Sequence, residues 1–456
     1  MKKFNRREFL KTTAIAGAGT AFAHYPGMAF SQSMGGNAPF SAYKALVCVF
    51  MFGGNDAFNM LVPRSNAEYA VYQQSRQNMA VAQEDLLPIN PLTPDGADYG
   101  LHPSMTALQG LFEQGQVALV PNVGPLIEPT TKADFLNQSV QLPPQLFSHN
   151  DQQDQWQSLR GIEQSSTGWA GRMADLIRLN VVDQQLATNI SLFGNTLFQS
   201  ADETIAYVMG NTGPVEFSFF SNSGDPNDPL YQQRLAFERV INAEYDTVYE
   251  RAFADIQRRA VNSVDLVSDA LAEAPVLGTM FPQSQLGNQL QTVAQMIAVR
   301  DELQMERQVF FVATGGFDTH DDQVQNQPGL LGGVSDAVRA FYDATVELGI
   351  SDSVTTFSSS DFGRTLTSNG DGTDHGWGGI SFVAGGAVAG RDLYGIYPDL
   401  SLGSADDVGG GRMIPTTSAD QYAATLARWF GVDEADIPVV APNIGNFAAQ
   451  DLGFFI

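Results

Sequence analysis

Apolar and polar positions sort this chain into strands and helices before any chemistry is considered. Residues 43–52 form an apolar run ending at Gly53-Gly54, the pattern of a strand buried on both faces. Val117 to Val120 repeats it and ends at Asn122-Val123-Gly124. Residues 309–313, 353–358 and 380–384 read as further strands. Between them lie stretches of helical character: a polar one at 66–84, and Met105, Leu108, Leu111 and Phe112 behind Pro103. Others open at Ser148, carrying Trp156 and Leu159, and at Gly168, running to Leu179. Residues 236–273, 286–306, 331–348 and 418–430 follow. Strands alternating with helices predict an α/β fold, a doubly wound and mostly parallel sheet flanked by helices. Residues 125–147 and 359–379 read as loops. Residues 190–235 lack helical period and hold strand-like pieces such as Val215 to Phe219. A single domain over 42–456 is therefore expected, with about 190–300 as a mixed cap or insertion.

The N-terminus stands outside this alternation. Asn5-Arg6-Arg7-Glu8-Phe9-Leu10-Lys11 is a twin-arginine export signature. The mildly apolar stretch Thr12 to Ala23 follows, and Ala21-Phe22-Ala23 offers small residues for cleavage. Residues 1–30 are expected to be a signal peptide and 31–41 a Ser/Gly/Asn linker. The expected location is the periplasm or the exterior, with the twin-arginine export machinery as a partner. The alternatives are an amphipathic first helix or an uncleaved anchor, but the stretch is short and rich in Gly, Ala and Thr for a bilayer span. Export of this kind carries folded proteins, often with a metal aboard. No later segment reaches 18 uninterrupted apolar residues, so no stable membrane span is expected in the mature protein.

Charge narrows the partners. The chain carries a net −26 at pH 7. Its first eleven residues hold five basic side chains and Glu8, a net of +4, so the rest is near −30. Such a surface repels nucleic acid and anionic membranes, and no nucleic-acid partner is expected. Cys48 is the only cysteine and lies in the first apolar run, so it reads as a small core residue that cannot form an internal disulfide.

Chemistry gathers at the strand ends. Gly53-Gly54-Asn55-Asp56 follows the first strand, and Gly315-Gly316-Phe317-Asp318-Thr319-His320 follows strand 309–313. Ser360-Asp361-Phe362-Gly363-Arg364-Thr365 follows strand 353–358, and Gly372-Thr373-Asp374-His375-Gly376-Trp377-Gly378 leads into strand 380–384. In a parallel sheet the first three exits share one edge, where α/β folds collect their ligands. Asp56, Asp318, His320, Asp361, Asp374 and His375 are then expected to converge on one or two divalent ions. Zinc suits imidazole mixed with carboxylate, whereas manganese or calcium tolerates more oxygen. Each motif also has a plain reading. Gly-Gly-Asn-Asp is a common turn, Asp361 fits a helix N-cap, and Asp374-His375 fits an Asx turn.

These motifs, together with Ser148-His149-Asn150-Asp151-Gln152 and Trp156-Gln157, closely resemble a secreted bacterial family known as domain of unknown function 1501. The resemblance runs from about residue 43 to the C-terminus and is least distinctive over 190–300. That family is distantly similar to alkaline phosphatases and sulfatases. The similarity implies two metal ions and a nucleophile, with Asp56 as the first-strand ligand, Asp318 and His320 on one ion, and Asp361, Asp374 and His375 completing the sites. Asp361 stands where the family usually has Glu, and the Asp318-x-His320 spacing is shorter than the superfamily's usual one.

The formylglycine motif of common sulfatases is absent, because Cys48 is followed by Val49-Phe50-Met51-Phe52. Ser148, at a helix start, is the candidate nucleophile, with a plain N-cap as the alternative. His149 is a candidate acid, ligand or donor, and Arg364 a candidate bidentate grip on an anionic oxygen. His102 reads as structuring its loop. The expected function is hydrolysis of a phosphate or sulfate ester of a small molecule or polysaccharide. The alternative is a non-catalytic, metal-stabilised binding or assembly protein of the periplasm or cell surface.

Overall fold

The computed structural model describes Phe40 and residues 42–181, 183–215 and 220–456. The expected signal peptide and nearly all of the linker lie outside these residues, as does most of the strand-like piece 215–219.

Five long strands carry the molecule: β1 Lys44–Met51, β2 Val117–Gly124, β3 Arg307–Thr314, β4 Val354–Ser360 and β5 Gly379–Gly385. In space they run β2-β5-β4-β1-β3. Asp392–Leu393 and Thr417–Ser418 pair with β2, while Asn189–Ser191 and then Tyr207–Val208 extend the sheet beyond β3. All pairings are parallel except those of β5, which is antiparallel to both neighbours. The mostly parallel sheet is as the sequence predicts; the reversed β5 is not part of that expectation.

Both faces of the sheet are covered, which explains the unbroken apolar runs. Along β1 the residues Ala45, Val47, Val49 and Met51 enter one core, and Leu46, Cys48 and Phe50 enter the other. The first core also takes Leu108, Leu290, Leu331 and Val334, from helices Thr106–Glu113, Gln285–Ala298 and Gln323–Glu347. The second takes Trp156, Met173, Tyr422 and Leu426, from helices His149–Ser158, Trp169–Ile177 and Ala419–Phe430. Cys48 is buried and free, as expected.

Several boundaries differ from the sequence reading. Helix Gln323–Glu347 begins eight residues earlier than predicted and absorbs Pro328. The polar helix ends at Arg76 before a short 3₁₀ turn, and 236–273 divides into Pro229–Ile241 and Val248–Ala272. The loop 359–379 contains a two-stranded ribbon, Arg364–Ser368 against Thr373–His375.

Candidate metal centre

Register brings the motifs together. Met51 pairs with Thr314 on one side and with Ser360 on the other, so β1, β3 and β4 end level. Their exits lead straight into Gly53, Gly315 and Asp361. Because β5 runs backwards, with Val383 opposite Phe357, its beginning lies at the same edge. The Gly372–Gly378 segment therefore reaches this edge by entering a strand, whereas the other three reach it by leaving one. Close backbone contact fixes the segment. A Cβ on Gly372 would land on the carbonyl of His320, one on Gly376 on the carbonyl of Gly363, and one on Gly363 on the carbonyl of Gly378.

Asp318 is the hub. His320 Nε2 lies 3.0 Å from its Oδ1 and His375 Nε2 3.5 Å from the same atom, while His149 Nε2 is 3.5 Å from Oδ2. His320 and His375 meet Nε2 to Nε2 at 2.9 Å. His149, Asp318 and His375 offer ligand atoms that all lie within 4.8 Å of one another. Each imidazole turns its other nitrogen outward to an acceptor. His149 Nδ1 meets Asp361 Oδ2 at 2.7 Å, His375 Nδ1 meets the Phe147 carbonyl at 2.7 Å, and His320 Nδ1 meets Asp374 Oδ1 at 3.3 Å.

These outer acceptors set the tautomers. A carbonyl or carboxylate at Nδ1 accepts a hydrogen bond from an Nδ1–H, and a neutral ring in that tautomer presents a bare Nε2 inward. In the tautomer with the proton on Nδ1, His149 and His375 turn Nε2 lone pairs toward Asp318, and these three residues could hold a divalent cation, with outward partners that orient each ring. Burial lowers the pKa of His375 below the ordinary histidine value, which favours the neutral ring. For Asp318, burial works upward, but the Arg364 hydrogen bond and charge outweigh it and hold the carboxyl below its usual range.

The loop before helix His149–Ser158 is strained to make this possible. Phe147, whose carbonyl fixes His375, has φ of 74°, a costly conformation for a bulky side chain. Arg412 packs over its ring at 5.1 Å and donates to the His375 carbonyl, tying both residues down.

The remaining candidates fall into place unevenly. Asp361 is fully buried; its Oδ2 accepts from His149, Gln153 and the Gly53 amide, while its Oδ1 has no partner. It is no helix N-cap, since a strand, Arg364–Ser368, follows. Asp56 is not brought into the ring. Its carboxylate pairs with buried Arg76 and accepts from Gln323 inside a polar network with Asn59, Tyr72 and Gln327. The expected first-strand ligand is thus engaged by a cation of the chain itself, and a single ring of ligands forms where a two-ion reading needs two.

Arg364 is also placed differently from expectation. It is fully buried and bonded to Asp318, the Gly53 carbonyl and Thr373, so its fork holds the site together and does not face outward for a substrate. Ser148 does precede helix His149–Ser158, but its hydroxyl makes no capping bond and donates to Asp151 Oδ2 at 2.6 Å. His102 accepts from the Ser104 amide, and burial lowers its pKa to about 4. Gln153 and the Phe147 carbonyl were not legible as site groups. Gln153 lies one helical turn after His149, a spacing that is the only available signal.

No curated protein matches the chain. Among solved structures, that of Ps i-CgsB in complex with k-i-k-neocarrahexaose is similar at 10% identity and a TM-score of 0.33, covering 87% of this chain and 74% of the other. The soluble domain of lipooligosaccharide phosphoethanolamine transferase A from Neisseria meningitidis is similar at 9% identity and 0.33, covering 89% and 95%. Both likenesses are weak, and fold and site rest on this chain's own geometry. The model of the family described as "Protein of unknown function (DUF1501)" matches residues 43–437, and the chain belongs to that family.

Proposed function

We propose that this chain is an exported, metal-dependent hydrolase of a phosphate or sulfate ester. The observation that carries the reading is the ring of imidazole nitrogens around Asp318. His149, His320, His375 and Asp318 would hold the ion, and three imidazoles with one carboxylate favour zinc. Such an ion supplies Lewis acidity toward the ester oxygens and lowers the pKa of a hydroxyl or water beside it. The chain's own groups do the rest. Arg364 keeps Asp318 ionised and aimed. Asp361 and the Phe147 carbonyl hold the protons of His149 and His375 on Nδ1. Ser148, at the N-terminus of a ten-residue helix, stands where an anion is favoured. Its Oγ would attack phosphorus or sulfur and pass its proton to Asp151 Oδ2, which gives it to the leaving oxygen as that bond breaks and the alcohol departs. Water would then release the phosphate or sulfate.

Export rests on the Asn5–Lys11 signature, which lies outside the described residues. Among the described residues no helix is long and apolar enough to cross a membrane.

One observation favours a second reading, a metal-stabilised binding or assembly protein. Arg364 is committed to protein partners, which leaves the anionic substrate without that cation. One experiment separates the two. The mature protein is assayed for bound metal and for cleavage of aryl phosphate and aryl sulfate, alongside His320→Ala. Metal with cleavage that His320→Ala removes supports the hydrolase; metal without cleavage supports the binder; a metal-free protein indifferent to chelation sinks both.

A further inference from the structure

An aromatic pair stands at the same sheet edge as the metal centre. Phe52 is the first residue past β1, and Phe193 lies two residues past strand Asn189–Ser191, which is separated from β1 by β3. Their rings stack with centroids 5.3 Å apart and planes 23° apart. Phe52 packs in turn on Phe50 at 4.5 Å and on Phe311 at 6.5 Å, so the stack is rooted in the core. Phe193 is 38% exposed. Single exposed apolar side chains are ordinary, but a core-rooted stack beside a polar site is not.

The pair is tied to the centre through short links. The Phe52 carbonyl accepts from the Phe317 amide, directly before Asp318. The next residue, Gly53, donates to Asp361 and accepts from Arg364. On the other side, Leu192 bonds to Phe311 of β3, and the Phe198 amide donates to Gln157 on the helix that begins with His149. Phe193 thus belongs to a loop fastened to two elements of the site.

We propose that Phe52 and Phe193 form the platform for the alcohol part of the ester, and that this part is a sugar ring. The proposal rests on the ester-hydrolase reading above. The negative face of an aromatic ring attracts the polarised C–H face of a pyranose. The half-exposed carboxylate of Asp374 at the same edge accepts from sugar hydroxyls. An aryl or alkyl group would leave that acceptor unmatched, and a polyanion such as an oligonucleotide meets a chain of net −26.

Binding calorimetry on the full zinc-supplied chain tests this. The probes are glucose 6-sulfate, glucose 6-phosphate, ethyl sulfate, ethyl phosphate and adenosine 5′-phosphate, against wild type, Phe193→Ala and Phe193→Trp. The expected result is sugar esters bound at least about tenfold tighter than ethyl esters. Phe193→Ala should remove that margin with metal content unchanged, and Phe193→Trp should keep it. The proposal is overturned by the same sugar preference in Phe193→Ala, by no preference in the wild type, or by preference for the nucleotide. Cleavage of ethyl esters without a sugar preference leaves the hydrolase standing and removes the platform. A sugar preference without cleavage of any ester does the reverse.

Discussion

His320 Nε2 and His375 Nε2 lie 2.9 Å apart, although the residues are 55 positions apart, one in a loop and one in the ribbon strand Thr373–His375. Both nitrogens also lie within 3.5 Å of Asp318 Oδ1, at 3.0 Å for His320 and 3.5 Å for His375. In the proposed site a cation takes the place of the proton that this contact would otherwise share. The purified chain should carry one divalent ion, measured by elemental analysis. His320→Ala and His375→Ala should each weaken it by at least about tenfold, as loss of a ligand or its orienting partner does. Chelation should lower the Tm, since an ion at 100 times its Kd stabilises by about 2.7 kcal/mol. A metal-free protein with an unmoved Tm would discard the site.

Asp56 supplies the contrast. It is 1% exposed and paired with Arg76, itself fully buried. Removing one partner of such a pair leaves an uncompensated charge and costs about 3–5 kcal/mol. Asp56→Ala should therefore unfold at much lower denaturant while keeping its metal at low temperature. Loss of metal with unchanged stability would make Asp56 a ligand after all, as the family resemblance implies.

That contrast shows what a sequence can and cannot carry. The long strands were legible because a sheet covered on both faces needs apolar residues at every position, as β1 has. The site motifs were legible because Gly and Asp-His pairs sit where those runs stop. Arg76 was not, since nothing in a polar helical stretch marks an arginine that turns into the core beside Tyr69, Tyr72 and Ser75. The ribbon Arg364–Ser368 with Thr373–His375 was hidden because its Thr and Ser residues leave no apolar alternation. The reversal of β5 was hidden because an all-buried strand reads the same in both directions. Phe147 acts through its carbonyl, which no side-chain pattern reports.

Gly372 tests whether the close approach of two loops builds the ring. Its missing side chain lets the chain pass against the carbonyls of Thr319 and His320. Gly372→Ala should push the segment bearing Asp374 and His375 away from His320. Metal affinity should fall at least about tenfold, as with loss of a ligand's support, and stability should fall by about 1–3 kcal/mol. An alanine variant with native affinity would show that the ring tolerates the displacement.

Another buried acid, Asp420, sets a pH dependence. Asp420 is 2% exposed, and burial raises its pKa to about 7, against the pull of its bonds from Asn443 and the charge of Arg172. The native state therefore keeps a proton that the unfolded chain has released from about pH 4 upward. Stability contributed at low pH is lost as pH rises through 7, at up to about 1.4 kcal/mol per unit. Asp420→Asn cannot titrate and should flatten this difference. Denaturant titrations of both proteins at pH 4, 5.5 and 7 give the comparison; a variant that follows the wild-type slope would place the titration elsewhere.

Ser148 decides whether serine or water attacks the ester. As a plain N-cap its replacement should be mild, and here milder than usual, because its hydroxyl bonds Asp151 and not a helix amide. Ser148→Ala should cost no more than about 1 kcal/mol of stability. Metal should be retained, since no ligand is touched. If the hydroxyl attacks the ester, the same variant should lose at least about 10³-fold in kcat, with KM little changed. Asp151→Asn should slow the reaction less, because it alters where the proton goes and leaves the nucleophile in place. Rapid quench of Ser148→Ala with aryl phosphate should show no burst of product, whereas the wild type should show one equal to the enzyme present. A variant with full activity would move the attack from serine to water, and the ring around Asp318 would then have to activate that water itself.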